Sequence, residues 1–297
     1  MSPRKERISL RTQVVRAAEQ ASVPLDDYDR AIILGQIAGL LAAHPKVGGR
    51  VAFKGGAIMH LVDGSPRLSR DLDGVMVAGG RITEAVVRQA LSTPDARKIV
   101  KRIERFTAIG KKGIRFPVIA CHPLSGIDEV SVTLSIHWDA PLILKPEPHV
   151  LTIRGEDVTL LIVARVERLA EKIRAFVDRG LDRDAFDLSH YSVKGLSAEE
   201  RAQLPALVDQ KFREDDEISD GTDLHDLFDG HVERLAVTWG SVRRHDCASG
   251  SARLVGGRAQ GSLVPTGCAG EEAVALSSDR LRDVSGASRA QQDGTYY

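Results

Sequence analysis

What the chain lacks narrows the field before any motif is read. It has only three cysteines in 297 residues, Cys121, Cys247 and Cys268. Their spacing fits no metal-ligand pattern, and a reducing compartment suits them. No apolar run is long enough to span a bilayer, residues 159–164 being typical. The opening Met-Ser-Pro-Arg-Lys-Glu-Arg leads into no apolar signal core. The expectation is a cytoplasmic protein with no membrane partner. Net charge is also missing, since 41 basic residues balance 41 acidic ones. That balance argues against broad nonspecific binding to nucleic acid. No internal repeat is visible. The last 57 residues lack Lys, Ile, Phe, Trp and Met, and hold 8 Gly and 8 Ser. Such a stretch buries too little apolar surface to offset its ordering, so residues 241–297 are expected to be a disordered tail.

What is present begins with a 42% hydrophobic fraction, enough for a sizeable core. Periodicity and breakers predict a helix over 27–44, capped by Asp26 or Asp27 and stopped by His44-Pro45. They predict a strand at 50–54, a short helix at 56–62, a strand at 71–77 and a helix at 82–91. Residues 95–109 fit either a helix or the start of a hairpin through Gly110-Lys-Lys-Gly113. Strands are expected at 114–121 and 129–138. In the latter Val130, Val132, Leu134, Ile136 and Trp138 share one face. Beyond that the texture becomes helical, with helices expected at 157–179, 183–192, 197–212 and 223–237. The implied organisation is an α/β domain over 1–155, a helical domain over 156–240, and the tail.

The stretch from Val51 to Asp73 carries the chemistry. An apolar strand runs into Gly55-Gly56, where backbone N–H groups can approach a phosphate closely. A second strand then opens with Asp71 and Asp73. Residues i and i+2 of a strand point to one side, so this pair can hold one or two divalent cations between its carboxylates. Mg²⁺ takes one or two carboxylates plus phosphates and waters, and Mn²⁺ is an acceptable substitute. A solvated strand edge or an Asx turn is the bland alternative. Ser69 would lie on the same side if the strand reaches back that far, and its hydroxyl could then meet a phosphate. Further along, Lys172 sits at the edge of an apolar helix stripe, where it can snorkel or reach into a cleft. Asp184 and Asp187, at i and i+3, share a face and could instead cap or pair with Arg179 or Arg183.

Taken together, Phe53-Lys-Gly-Gly, Leu68-Ser-Arg-Asp-Leu-Asp73, Glu167-Arg-Leu-Ala-Glu-Lys172-Ile-Arg-Ala and Arg183-Asp-Ala-Phe-Asp-Leu188 resemble the AbiEii/AbiGii toxin nucleotidyltransferases, which include the MenT-type toxins of toxin–antitoxin pairs. The resemblance spans roughly residues 30–195 and does not cover the tail. It implies an α+β fold: a polymerase-β-like nucleotidyltransferase domain, a mixed sheet flanked by helices, followed by a helical C-terminal domain that completes an active-site cleft. It implies a catalytic set of Asp71, Asp73, Lys172 and Asp187, with Asp184 as a competitor for the late-aspartate role. Metal falls to Asp71 and Asp73, and nucleotide binding to Lys54, Gly55, Gly56, Ser69 and Asp184. The implied reaction moves a nucleotide, often a pyrimidine one, from a triphosphate to the 3′ acceptor end of tRNA, which blocks translation and growth. A cognate antitoxin encoded by a neighbouring gene is the implied protein partner, and the protein is expected to be a monomer.

Two further features bear on that reading. Residues 97–115 hold eight basic residues against one acid, Glu104. Lys98, Lys101, Arg102, Lys111 and Lys112 are therefore candidate RNA contacts, or else a solvated face. The broader superfamily places a third carboxylate mid-strand beside the Asp-x-Asp strand. The outward positions here are Ser131, Thr133, Ser135 and His137, with acids only at the ends, Glu129 and Asp139. Either Asp187 supplies a general base, or positioning and metal carry most of the catalysis. His137 is a weaker candidate base. A protein or small-molecule acceptor, or a non-catalytic interaction protein on the same fold, are the alternatives.

Overall fold

The computed structural model describes residues 3–77, 80–110, 112–126, 129–138, 142–153, 156–213 and 230–231, with backbone alone for 3–10, 153, 156 and 192–194. The expected helix at 223–237 falls almost wholly outside this set, and the tail at 241–297, Gly79, Lys111 and Asp139 fall outside it entirely. The chain divides into two units, Met1–Arg168 and Leu169–Tyr297.

The first unit is built on eight strands. β1 (Val51–Lys54), β2 (Asp71–Met76), β3 (Val100–Ile103), β4 (Thr107–Ile109), β5 (Gly113–Cys121), β6 (Val130–His137), β7 (Glu147–Ile153) and β8 (Glu156–Ile162) form one sheet. Its order is β3-β5-β6-β2-β1-β8-β7, with β4 paired to the first part of β5. β2 runs parallel to β6 and β1 parallel to β8, while the other pairings are antiparallel. Alternation along the strands puts Phe53, Leu72, Phe116, Val132, Leu134, Ile136 and Ile162 on one face, each buried. Helix α2 (Leu25–Ala43) covers that face with Ile33, Leu34, Ile37 and Leu41, helped by α3 (Gly55–Leu61) and α4 (Glu84–Ala90). A smaller cluster of Ala52, Val75 and Val163 lies apart from that core.

Several expectations are corrected. Asp26 and Asp27 do not cap α2. Its N-cap is Pro24, with no side-chain capping bond. Both aspartates fall in the first turn, where the helix dipole favours them, and both pair with Arg30. Residues 95–109 form strands β3 and β4 after a short 3₁₀ turn at Ala96–Lys98, so the hairpin reading holds and the helix reading does not. The helix expected at 157–179 begins only at Arg165, as α5 (Arg165–Arg179). Its first residues are strand β8, because Val158, Leu160 and Ile162 alternate against β7 and β1. β7 itself was not anticipated. Neither was α1 (Pro3–Ala21), on which the N-terminal basic residues Arg4, Lys5, Arg7 and Arg11 fall. Among the described residues no helix is long and apolar enough to cross a membrane.

Two buried charges tie the start of α5 to the first unit. The Glu167 carboxylate accepts from the backbone N–H groups of Ile143 at 3.0 Å and Leu144 at 2.9 Å. Arg168 Nη2 donates to Asp63 Oδ1 at 3.0 Å, with both side chains buried. Its Nε and Nη1 have no hydrogen-bond partner among the described residues. Asp63→Ala would strand that guanidinium in the interior. It should cost about 3–5 kcal/mol, read as a lower urea midpoint against wild type.

Candidate active site

The site is set by strand register. In β1 and β2, Lys54 stands opposite Asp73. In β2 and β6, Asp71 stands opposite Thr133 and Asp73 opposite Ser135. The intervening Leu72 is fully buried, whereas both aspartates are half-buried. Asp71 and Asp73 thus share the face opposite the main core and stay within reach of a ligand.

Gly55 follows Lys54 directly and turns the chain out of the sheet with φ +80°. A Cβ placed there would lie 2.7 Å from Asp73 Oδ2, so the backbone passes directly beside the carboxylate. At Gly56 a Cβ would lie 2.4 Å from Arg67 Nη2 and 3.2 Å from Ser69 Oγ. The structure therefore brings Lys54, Gly55, Gly56, Ser69 and Asp73 together. It adds Arg67, which sequence reasoning missed because the loop around it has no periodicity to place its side chain. The strand does not extend back to Ser69, contrary to the condition set for it. Its Oγ instead donates to the Asp71 carbonyl at 3.1 Å and accepts from the Asp71 N–H at 3.3 Å, yet it still faces the glycine turn.

No group of three or more His, Cys, Asp or Glu side chains that could hold a metal occurs among the described residues. The donor set is the Asp71/Asp73 pair. Two carboxylates with open coordination left for phosphate and water fit Mg²⁺, and the space left by the missing Gly55 side chain lies against one of them. Opposite this pair β6 offers hydroxyls rather than an acid. Thr133 Oγ1 donates to the Pro117 carbonyl at 3.1 Å, and Ser135 is 7% exposed. Glu129, just before β6, is committed elsewhere. Hydrogen bonds from Arg102, at 2.6 and 2.9 Å, and from Lys101 hold its carboxyl below the usual range.

Three of the eight basic residues of the stretch are matched by acids. Lys98 pairs with Asp95 at 2.6 Å, Lys101 with Glu129 at 3.1 Å, and Arg102 with Glu129 and Glu104. Lys112 is exposed. Cys121 is buried in β5, and that burial, followed by the charge of Glu129, pushes its thiol up to about 12. It is not a nucleophile.

The second unit contains the remainder of α5, α6 (Asp182–Lys194) and α7 (Ala198–Arg213). Here Lys172 Nζ lies 2.7 Å from Asp187 Oδ2 and 3.5 Å from Asp184 Oδ1. Arg179 grips Asp184 with Nε at 2.7 Å and Nη2 at 2.9 Å. Both aspartate side chains are fully buried. Burial pushes the Asp184 carboxyl up. The Arg179 hydrogen bond and the charges of Lys172, Arg179 and Arg183 outweigh it, and the net shift is downward.

A mixed sheet carrying an Asp-x-Asp pair beside a Gly-Gly turn defines a nucleotidyltransferase domain. The chain belongs to the family described as nucleotidyl transferase AbiEii toxin, type IV toxin–antitoxin system, whose model matches residues 39–245. It is accordingly a nucleotidyltransferase that uses a nucleotide substrate, on the toxin side of a toxin–antitoxin pair. No curated protein matches the chain. Among solved structures it is similar to MenT4, a nucleotidyltransferase toxin of Mycobacterium tuberculosis H37Rv. That likeness has 21% identity over 67% of this chain and 70% of that one, with a TM-score of 0.45. It is also similar to a putative nucleotidyltransferase from H. pylori, at 19% identity over 66% and 87% of the two chains and a TM-score of 0.39.

Two outcomes follow from this geometry. Gly55→Ala forces a side chain onto Asp73 and into a left-handed backbone. It should destabilise by about 1–3 kcal/mol and cut nucleotide transfer about 10²-fold, the scale of an ångström misplacement. The lowered Asp184 carboxyl contributes stability above the ordinary carboxylate pKa of about 3.9. That contribution is lost as pH falls through the lower folded value. Asp184→Asn should be less stable than wild type at pH 7, and its denaturant midpoint should fall less steeply below about pH 4.

Proposed function

We propose that the protein transfers a nucleotide, a pyrimidine one, from a nucleoside triphosphate to the 3′ acceptor end of tRNA, and that it requires Mg²⁺, with Mn²⁺ able to substitute. The observation that carries this reading is the side-chain-free turn at Gly55 lying against Asp73 Oδ2, which sets backbone N–H groups beside a carboxylate pair. In the proposed reaction the acceptor hydroxyl oxygen attacks the α-phosphorus. A new P–O ester bond forms, the bond to the bridging oxygen breaks, pyrophosphate leaves, and the hydroxyl proton is lost to solvent or to a base. Asp71 and Asp73 would hold the metal, whose charge neutralises phosphate oxygens in the in-line transition state. Lys54, Arg67, Ser69 and the backbone at Gly55 and Gly56 would bind and orient the triphosphate. Lys172 is assigned to the triphosphate, with Asp184 and Asp187 holding its ammonium in place, and any general base is Asp187. Blocking the acceptor end would prevent aminoacylation and stop growth, with the antitoxin restraining that outcome.

The pairing of Lys98, Lys101 and Arg102 with acids favours a second reading, in which the same site modifies a protein or a small molecule. Incubation of the protein with labelled triphosphates, Mg²⁺ and total RNA separates the two. Label on the tRNA 3′ end is expected, and label only on protein or small molecules would reject the tRNA reading. Asp71→Ala and Asp73→Ala should each lower incorporation at least about 10²-fold, as should chelation of divalent metal, and each should relieve growth arrest. Equal toxicity of Asp71→Ala and wild type would instead indicate action by binding.

A further inference from the structure

Strand register places one cation of the basic stretch on the row of Asp73. Arg115 on β5 stands opposite Thr107 on β4 and Ser135 on β6. Ser135 stands opposite Asp73, and Asp73 opposite Lys54. Directly paired residues share a face, so a single row crosses the sheet from Thr107 through Arg115, Ser135 and Asp73 to Lys54. Along it Arg115 lies two strands from Asp73, a backbone separation of about 10 Å at roughly 4.8 Å per strand. Arg115 is exposed and, as for Arg97, Arg105 and Lys112, its side chain makes no hydrogen bond or ion pair with a described residue. Lys98, Lys101 and Arg102, in contrast, are neutralised by acids. Between Arg115 and Asp73 stands only the small, buried hydroxyl of Ser135.

The position on the row decides what Arg115 would meet. Gly55, next to Lys54, approaches Asp73 from the β1 side, and the functional reading above places the triphosphate there. In-line transfer puts the attacking and leaving oxygens on opposite sides of the phosphorus. The acceptor then comes from the β6 and β5 side, where Arg115 lies on the row of Asp73. We infer that Arg115 is a positioning residue that binds a backbone phosphate of the RNA acceptor and aligns its 3′ end with the Asp71/Asp73 pair. A planar guanidinium suits that contact, since its fork of donors matches phosphate oxygens. The inference rests on the reading of the protein as an RNA nucleotidyltransferase.

The test uses the full-length protein, a tRNA acceptor and a labelled triphosphate, comparing wild type with Arg115→Ala and Arg115→Lys. Arg115→Ala should raise KM for tRNA about 10- to 100-fold, the scale of a lost charge-assisted hydrogen bond. KM for the triphosphate should stay within about twofold. The slope of log affinity for tRNA against log salt should become shallower by about one. Arg115→Lys should restore that slope and recover part of the affinity. An equal rise in triphosphate KM would assign Arg115 to the nucleotide and overturn the inference, as would unchanged tRNA affinity and salt slope. If wild type labels no tRNA at all, the functional reading fails and the inference falls with it. Labelled tRNA with an unaltered Arg115→Ala slope defeats the inference alone. An unchanged urea midpoint for Arg115→Ala shows that the variant folds.

Discussion

The turn at Gly55 is the constraint on which the site depends. β1 ends at Lys54, opposite Asp73, and the next residue must leave the sheet over that carboxylate. A left-handed φ of +80° and a missing Cβ make the exit possible. Once the exit is fixed, α3 starts beside the β2 carboxylates, and the loop returning to β2 lays Arg67 and Ser69 against Gly56. The register itself is held by Leu72, which is fully buried between two half-buried aspartates. A one-residue slip would put Leu72 on the ligand face and both carboxylates into the core. The hydrophobic effect therefore does the alignment, and the placement of the aspartate pair follows from it.

The two units treat their aspartates differently. Asp71 and Asp73 are half-buried on the sheet face opposite the main core. Asp184 and Asp187 are fully buried and held by Lys172 and Arg179. Burying a charge without a partner is costly, and here each has one. Such a network rigidifies α5 against α6 and fixes where the Lys172 ammonium points. The ion pairs of Asp184 with Arg179 and of Asp187 with Lys172 are the pairing that the bland reading of these residues describes.

How much was legible in the sequence follows from which signals were unambiguous. β6 was readable because apolar residues alternate cleanly, and the placement of Asp71 and Asp73 on one face of β2 could be deduced from their i, i+2 spacing. The absence of a mid-strand acid was readable from the same alternation, and the register of Thr133 and Ser135 opposite the pair agrees. β8 was misread because the run at residues 159–164 fits a buried strand and a helix equally, and length alone decides between them. The N-cap of α2 was misplaced by two or three residues, since Pro24 starts the helix without a side-chain acceptor and leaves the aspartates inside it. Arg67 and the row through Arg115 were not readable at all. They depend on loop geometry and on pairing between strands far apart in sequence, which periodicity does not encode.

The hydroxyl at Ser135 also has an electrostatic consequence. The phosphates of a nucleotide are anionic, and each carboxylate on the face repels them. Like charges 4 Å apart at an effective dielectric of about 20 repel by roughly 4 kcal/mol. A third acid at the Ser135 position would stand directly between Asp73 and Arg115 and would offset the Arg115 charge. With serine there, the row carries Arg115, Asp73 and Lys54, and Asp71 brings the local sum of these four side chains to zero. A protein with no net charge can in this way admit anions locally without a broadly basic surface. Specificity then rests on a few positioned cations rather than on bulk electrostatic attraction.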